Sequence, residues 1–409
     1  MNYKKFYPTA VVLYISYFIH GIGISILSQY KEEFASAWGA GMTGAGVDVS
    51  MVITVIAAMG IGSLISLPIS GPVSDKYGRK ISALIGIACY MIFFFGIVFA
   101  PNMYAAYACA IFAGIANSFL DTGVIPACLE ILVKSGGLAT MLTKLGISLG
   151  QLLLPTMIIF VAARNLPYTT LFYVMGAAIL IDGILIAKMP FPPMNGEVEA
   201  AENKPAKKEK MKFTPTSIAL VCIGFTSTAT FQLWLNCNQE LGKLYGVKSP
   251  AGLQTYYSAG TIIAILVTAV LVKKLIKPVR FLLLYPSIAL TALVLVYLIQ
   301  TPVICYIGAF VIGYAGAGGV LQLATAVANE MYPTNKGKIT SVIMIFKSIE
   351  NYTVITFAGY LTRVGGVNAP RYVLLLNIGI TAIGIMLAVL VNLKYKPAIP
   401  VVEAIEKIA

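Results

Sequence analysis

The chain has 409 residues, 58% of them hydrophobic and 11% charged, with a formal net charge of +13. A mean hydropathy of +0.86 excludes an ordinary soluble globular protein and points to a polytopic membrane protein. The positive charge does not form a nucleic-acid patch. It falls between apolar runs, where it reports topology and contact with a lipid surface.

A spanning helix needs about 20 mostly apolar residues. Twelve such segments follow one another, at 8–29, 48–70, 81–100, 103–126, 139–162, 168–189, 214–238, 254–272, 279–299, 302–328, 339–362 and 372–393. Alternating β-barrel patterning is absent, so the spans are read as helices. The fold expected is an all-α membrane protein with twelve transmembrane helices in two pseudo-symmetric six-helix bundles. Met1 to Leu27 has the outline of a signal peptide, with Lys4 and Lys5 before an apolar run. That run is too long and Lys31-Glu32-Glu33 follows it, so it is expected to stay as span 1. The six cysteines (Cys89, Cys109, Cys128, Cys222, Cys237 and Cys305) lie in or at the ends of apolar segments without a Cys-x-x-Cys pair. They read as packing residues, with no disulfide or metal role.

With twelve spans both termini share one side. That side holds Lys76, Arg79, Lys80, Lys204, Lys207, Lys208, Lys210, Lys273, Lys274, Arg280 and Lys394, among others; the other holds Lys31, Arg164, Lys243, Lys248, Arg363 and Arg371. The positive-inside rule then places both termini in the cytoplasm.

Between spans 2 and 3 runs Gly71-Pro72-Val73-Ser74-Asp75-Lys76-Tyr77-Gly78-Arg79-Lys80, read as a short charged loop. It fits G-x-x-x-D-[RK]-x-G-R-[RK], which resembles the signature loop of the major facilitator superfamily. Tyr17-Phe18-Ile19-His20-Gly21, Gly114-Ile115-Ala116-Asn117-Ser118 with Leu120-Asp121-Thr122-Gly123, Gly308 to Gly313 and Gly318 to Leu323 extend the resemblance over nearly the whole chain, to the YdiN/YdiM-type group of solute transporters. The resemblance implies alternating access. It also implies a gating loop in which Asp75 holds one state with Arg79 and Lys80, framed by Gly71 and Gly78. It implies no particular solute. Span 11 and the end of span 7 are more polar than that group's pattern, which marks them as the expected seat of specificity.

The composition breaks once. Residues 1–190 form the expected N-terminal bundle, 191–213 a Pro- and Lys-rich cytoplasmic linker, 214–395 the C-terminal bundle and 396–409 a tail. The halves repeat: Phe112-Ala113-Gly114 through Glu130 parallels Ile312-Gly313-Tyr314 through Glu330 at an offset of 200, and Met141 to Lys144 parallels Met344 to Lys347 at 203. Lys144 therefore answers Lys347. Two parallel halves are a transporter pattern in which solute sits between them near the midplane.

An ionisable group at mid-membrane costs about 2.5–3.5 kcal/mol on insertion scales and is a functional candidate by default. Asn117 and Asp121 share a face of span 4, and Lys144, Ser148 and Gln151 form a stripe on span 5. Asp121 and Lys144 lie at equal depth, roughly 8–10 Å in, so a buried ion pair is expected. It is either a proton acceptor tuned by Lys144 or a static packing pair. On span 11, Lys347 and Glu350 stand at i, i+3 beside Asn351 and can neutralise one another. If Glu350 is protonated or turned away, Lys347 faces an anion; otherwise the solute is neutral. Gln232 and Asn236 on span 7, with Trp234 between them, suit a hydroxyl-rich or aromatic ligand, or belong to an interface belt. Gln322 joins the solute-binding candidates from span 10. His20, the single histidine, is a proton relay or a neutral hydrogen-bonded side chain.

Span 5 lacks the Gly-Pro spacing of many proton-driven drug antiporters, which counts against a drug exporter. With no nucleotide-binding P-loop, catalytic triad or metal cluster, neither ATP drive, an enzyme nor a cofactor is expected. The expectation is a monomeric transporter of a small polar or anionic metabolite, proton-coupled. A drug exporter and a non-transporting membrane sensor are the alternatives.

Overall fold

The computed structural model describes residues 3–43, 46–132, 136–192, 213–274, 276–332 and 336–395. Most of the predicted linker and the whole predicted tail lie outside the described residues. Spans 1 to 6 are the helices Tyr7–Gln29, Ser50–Tyr77, Arg79–Phe99, Met103–Ile131, Gly136–Ala163 and Thr169–Lys188. Spans 7 to 9 are Pro215–Leu244, Gly252–Lys274 and Pro278–Ile299. Span 10 is Pro302–Gly316 continued by Val320–Met331, and spans 11 and 12 are Lys336–Val364 and Ala369–Lys394. Among the described residues, eleven helices are long and apolar enough to cross a membrane. The twelfth, Lys336–Val364, has the length but is less apolar, carrying Lys347, Glu350 and Asn351. It packs between spans 2 and 7.

The segment 71–80 is not the loop its sequence suggests. The helix of span 2 runs through Pro68 and Pro72 to Tyr77, and the chain turns at Gly78 alone, where φ is +97°. That left-handed backbone favours glycine. Proline inside a membrane-spanning helix is tolerated where neighbouring groups take up the freed backbone hydrogen-bonding capacity. Span 10 departs in the other direction. The sequence predicts it unbroken, but it is interrupted over 317–319, with Gly319 at φ +116°. Two small elements also lie outside the predicted spans: a helix at Lys31–Ala37, and a hairpin pairing Met42–Thr43 with Gly46–Val47.

Glycine sets the frame of each half. A Cβ on Gly62 would strike the Ile111 carbonyl, and one on Gly114 the Met59 carbonyl, so spans 2 and 4 meet backbone to backbone. Gly260 and Gly313 do the same for spans 8 and 10 against Phe310 and Tyr257. Ser63 Oγ donates to the Gly114 carbonyl at 3.0 Å, and Thr261 Oγ1 to the Gly313 carbonyl at 3.1 Å. Gly114 thus answers Gly313, an offset of 199 where the sequence pattern indicated 200. The interruption after Gly316 is where the repeat can gain its extra residue.

The halves meet unevenly. Span 2 packs on span 11 and span 5 on span 8. The core of the N-terminal half continues into Ala229, Leu233 and Cys237 of span 7 and Val354, Ile355 and Ala358 of span 11. Those residues lie toward the end of the bundle opposite the termini. The core built from the termini-side parts of spans 7 and 9 to 12 contains no residue of the first half. The molecule is therefore sealed at the end away from the termini, and its halves part toward the end that bears them.

Candidate functional site

Between the halves lies a cavity enclosing about 1470 Å³ of empty space, mouth included. Ten of the side chains singled out from the sequence line it: His20, Asn117, Asp121, Lys144, Gln151, Gln232, Asn236, Gln322, Lys347 and Asn351. They come from spans 1, 4, 5, 7, 10 and 11, so both halves contribute. Glu350 does not line it.

The expected pairing of Asp121 with Lys144 is not made. Tyr17 Oη donates to Asp121 Oδ1 at 2.6 Å, while Lys144 Nζ stands 5.7 Å from the centre of the Phe231 ring across the cavity. Equal depth fixed the level of the two groups but not the rotation of their helices. Nor do Lys347 and Glu350 form an ion pair among the described residues. Three residues along a helix turn the side chain about 60° away from alignment, enough for Lys347 to reach the cavity while Glu350 is wholly buried. Neither oxygen of Glu350 has a hydrogen-bond partner among the described residues.

A band of amides covers the side of the cavity toward the sealed end. Gln232 Nε2 donates to Asn351 Oδ1 at 3.3 Å, and Asn236 Nδ2 to the Gln232 carbonyl at 3.0 Å. Asn236 Oδ1 is buried without a partner among the described residues. Gln151 Nε2 donates to Ser25 Oγ at 3.1 Å. Trp234 turns the other way and faces span 12 beside Val373, Leu374 and Asn377. His20 Nδ1 bonds the Tyr90 hydroxyl, and its ring stands edge-on to Tyr17 and Tyr90.

The signature segment ties its own half together. Arg79 donates to Asp75 Oδ1 at 2.5 Å, to Ser74 Oγ at 3.0 Å and to Glu130 Oε1 at 3.1 Å. Lys80 bonds not Asp75 but the Met189 carbonyl, at 3.2 Å. Gly71 has open space around it.

At the sealed end stand residues that sequence reasoning counted as topology markers or passed over. Lys31 Nζ reaches Glu240 Oε2 at 2.7 Å and also bonds the Asn236 carbonyl. Glu32 Oε1 pairs with Lys243 Nζ at 2.5 Å. Gln239 Nε2 donates to Gln29 Oε1 at 2.7 Å, and Gln29 Nε2 reaches Gln254 Oε1 at 3.4 Å. All five contacts cross between halves. Opposite charges at the far ends of spans 1 and 7, the first helix of each half, were the available signal.

The sequence profile of the major facilitator superfamily matches residues 13–349. The chain belongs to this superfamily. It is 30% identical to the inner membrane transport protein YdiN of Escherichia coli K12, over 97% of this chain and 93% of YdiN. It is also 30% identical to YdiM of the same organism, over 96% and 95% of the two chains. The crystal structure of a D-xylose-proton symporter superposes with a TM-score of 0.78 at 15% identity, covering 96% of this chain and 98% of that one. The chain is accordingly a secondary transporter that takes a small-molecule solute across a lipid bilayer, and not an enzyme. Both relatives are inner membrane transport proteins.

Proposed function

We propose that the chain moves a small anionic metabolite together with protons, by alternating access, as a monomer with both termini in the cytoplasm. The observation that carries this reading is the placement of two lysines. Lys144 and Lys347 hold equivalent positions in the two halves, line one cavity, and make no ion pair among the described residues. They repel one another through a medium that screens charge poorly. A carboxylate between them relieves that repulsion and draws the halves together.

Proton coupling follows from the groups nearby. Asp121 shares the cavity with Lys144. A carboxylate solute arriving beside an ionised Asp121 would place two anions in one low-dielectric space. A proton on Asp121 removes that conflict, so solute and proton load together. Glu350, buried one turn from Lys347 without a donor among the described residues, is a second proton site, and His20, bonded to Tyr90 and edge-on to the Tyr17 that holds Asp121, is the relay. Asn117, Gln151 and Gln322 complete the polar lining.

The contacts at Lys31, Glu32 and Gln29 then close the outer mouth, and the cavity opens toward the cytoplasm. Asp75, Arg79 and Lys80 act at that open mouth. The test is uptake of labelled solutes by proteoliposomes, across small carboxylates, aromatic acids, sugars and cationic drugs. Carboxylate uptake lost in Lys347→Met and Lys144→Met is expected. Transport of neutral compounds or drugs alone, full activity in Lys347→Met, or binding without flux would overturn the proposal.

A further inference from the structure

The cavity has two chemically distinct poles, and their spacing limits what fits between them. Lys144 and Lys347 form a cationic pole toward the open mouth. One helical turn deeper on span 11, Asn351 meets Gln232 of span 7. A further turn along span 7 stands Asn236, a lining residue that is 2% exposed, its Oδ1 buried without a donor among the described residues. Two turns separate the lysine level from the Asn236 level by ~12 Å along the helices. A lysine's four-carbon stem spans part of that distance, leaving room for a chain of about five or six carbons.

A buried carbonyl oxygen without a partner costs on the order of 1–3 kcal/mol. It therefore selects a ligand that brings a donor. Carboxamides carry donors and acceptors together, as a hydroxyl does, and three of them in series match a row of hydroxyls. Trp234, the indole that the sequence placed among these amides, points out of the cavity toward span 12, and Phe231 is already faced by Lys144. The amide band thus offers hydrogen bonds where an aromatic solute would need a flat apolar wall.

We infer that the solute is a polyhydroxylated carboxylate, a sugar acid of the aldonate class, with its carboxylate between Lys144 and Lys347 and its hydroxyls along Asn351, Gln232 and Asn236. The inference rests on the anion reading above and adds the hydroxyl requirement to it. An alkyl acid would leave Asn236 Oδ1 unpaired, and a neutral sugar would leave the lysines facing each other.

Binding of gluconate, hexanoate and glucose to the purified full chain, followed by thermal stabilisation, separates the two claims. Gluconate is expected to bind at least tenfold more tightly than either of the others. In Asn236→Leu the preference for gluconate over hexanoate falls toward onefold while hexanoate affinity is kept. The backbone carbonyl that Lys31 bonds remains in that variant, and its melting temperature shows whether it has folded. Gln232→Leu serves as the second variant. Equal binding of gluconate and hexanoate would overturn the hydroxyl requirement and leave the anion reading standing. Binding of glucose alone would overturn both. Failure of gluconate to bind, or an unchanged preference in both variants, would overturn the inference.

Discussion

Lys31 of one half and Glu240 of the other meet at 2.7 Å with the lysine only 1% exposed. The same ammonium bonds the backbone carbonyl of Asn236, whose side chain lines the cavity. Closure of the sealed end and the shape of the solute site therefore share one turn of span 7. A charge held this far from water is stable only while its partner is present, so the contact distinguishes sharply between the state that keeps it and one that does not.

Removing one member should open that end. In Glu240→Gln the Lys31 ammonium loses its counter-charge, and breaking a buried pair in this way costs ~3–5 kcal/mol. With Ile24, which lines the cavity, replaced by cysteine in a cysteine-free background, a membrane-impermeant thiol reagent applied from the side opposite the termini should label Glu240→Gln at least tenfold faster than the parent. Equal labelling would remove Lys31 and Glu240 from any part in closure.

The neighbouring pair should behave differently. Glu32 and Lys243 are 46% and 43% exposed, and exposed pairs contribute ~0–1 kcal/mol. Lys243→Gln should leave both the labelling rate and transport within about twofold of the parent. A loss matching that of Glu240→Gln would mean that the exposed pair carries the closure.

The glycine contacts predict a matched effect in the two halves. Gly114→Leu and Gly313→Leu each force a side chain against the facing helix's backbone, and overpacking of this kind costs typically ~1–3 kcal/mol. Both should lower the melting temperature in detergent by similar amounts. Gly71→Ala meets nothing within 4 Å inside a helix, where alanine is favoured by ~0.5–1 kcal/mol, and should be neutral or stabilising. Different losses at Gly114 and Gly313 would argue against their equivalence.

Hydropathy made the twelve helices legible because bilayer thickness imposes a length and lipid imposes composition. It also located most of the cavity side chains, although Glu350 is buried away from the lining. Rotation about each helix axis was not legible, which is why Asp121 was assigned to Lys144 and is held instead by Tyr17. Helix ends were misread wherever turn chemistry met the membrane: Gly71 to Tyr77 is helical, and the interruption over 317–319 breaks a run that is mostly apolar. Lys31 looked like one more loop charge. Only the approach of two helices far apart in sequence makes it a bridge between halves.

The most direct test of proton–anion coupling uses the protein in liposomes loaded with a pH-sensitive dye, challenged with a small carboxylate. The account predicts that protons enter with the carboxylate, that Asp121→Asn abolishes the proton signal, and that Lys347→Met abolishes both fluxes. Carboxylate entry without proton movement in the parent protein, or an unchanged proton signal in Asp121→Asn, would contradict it.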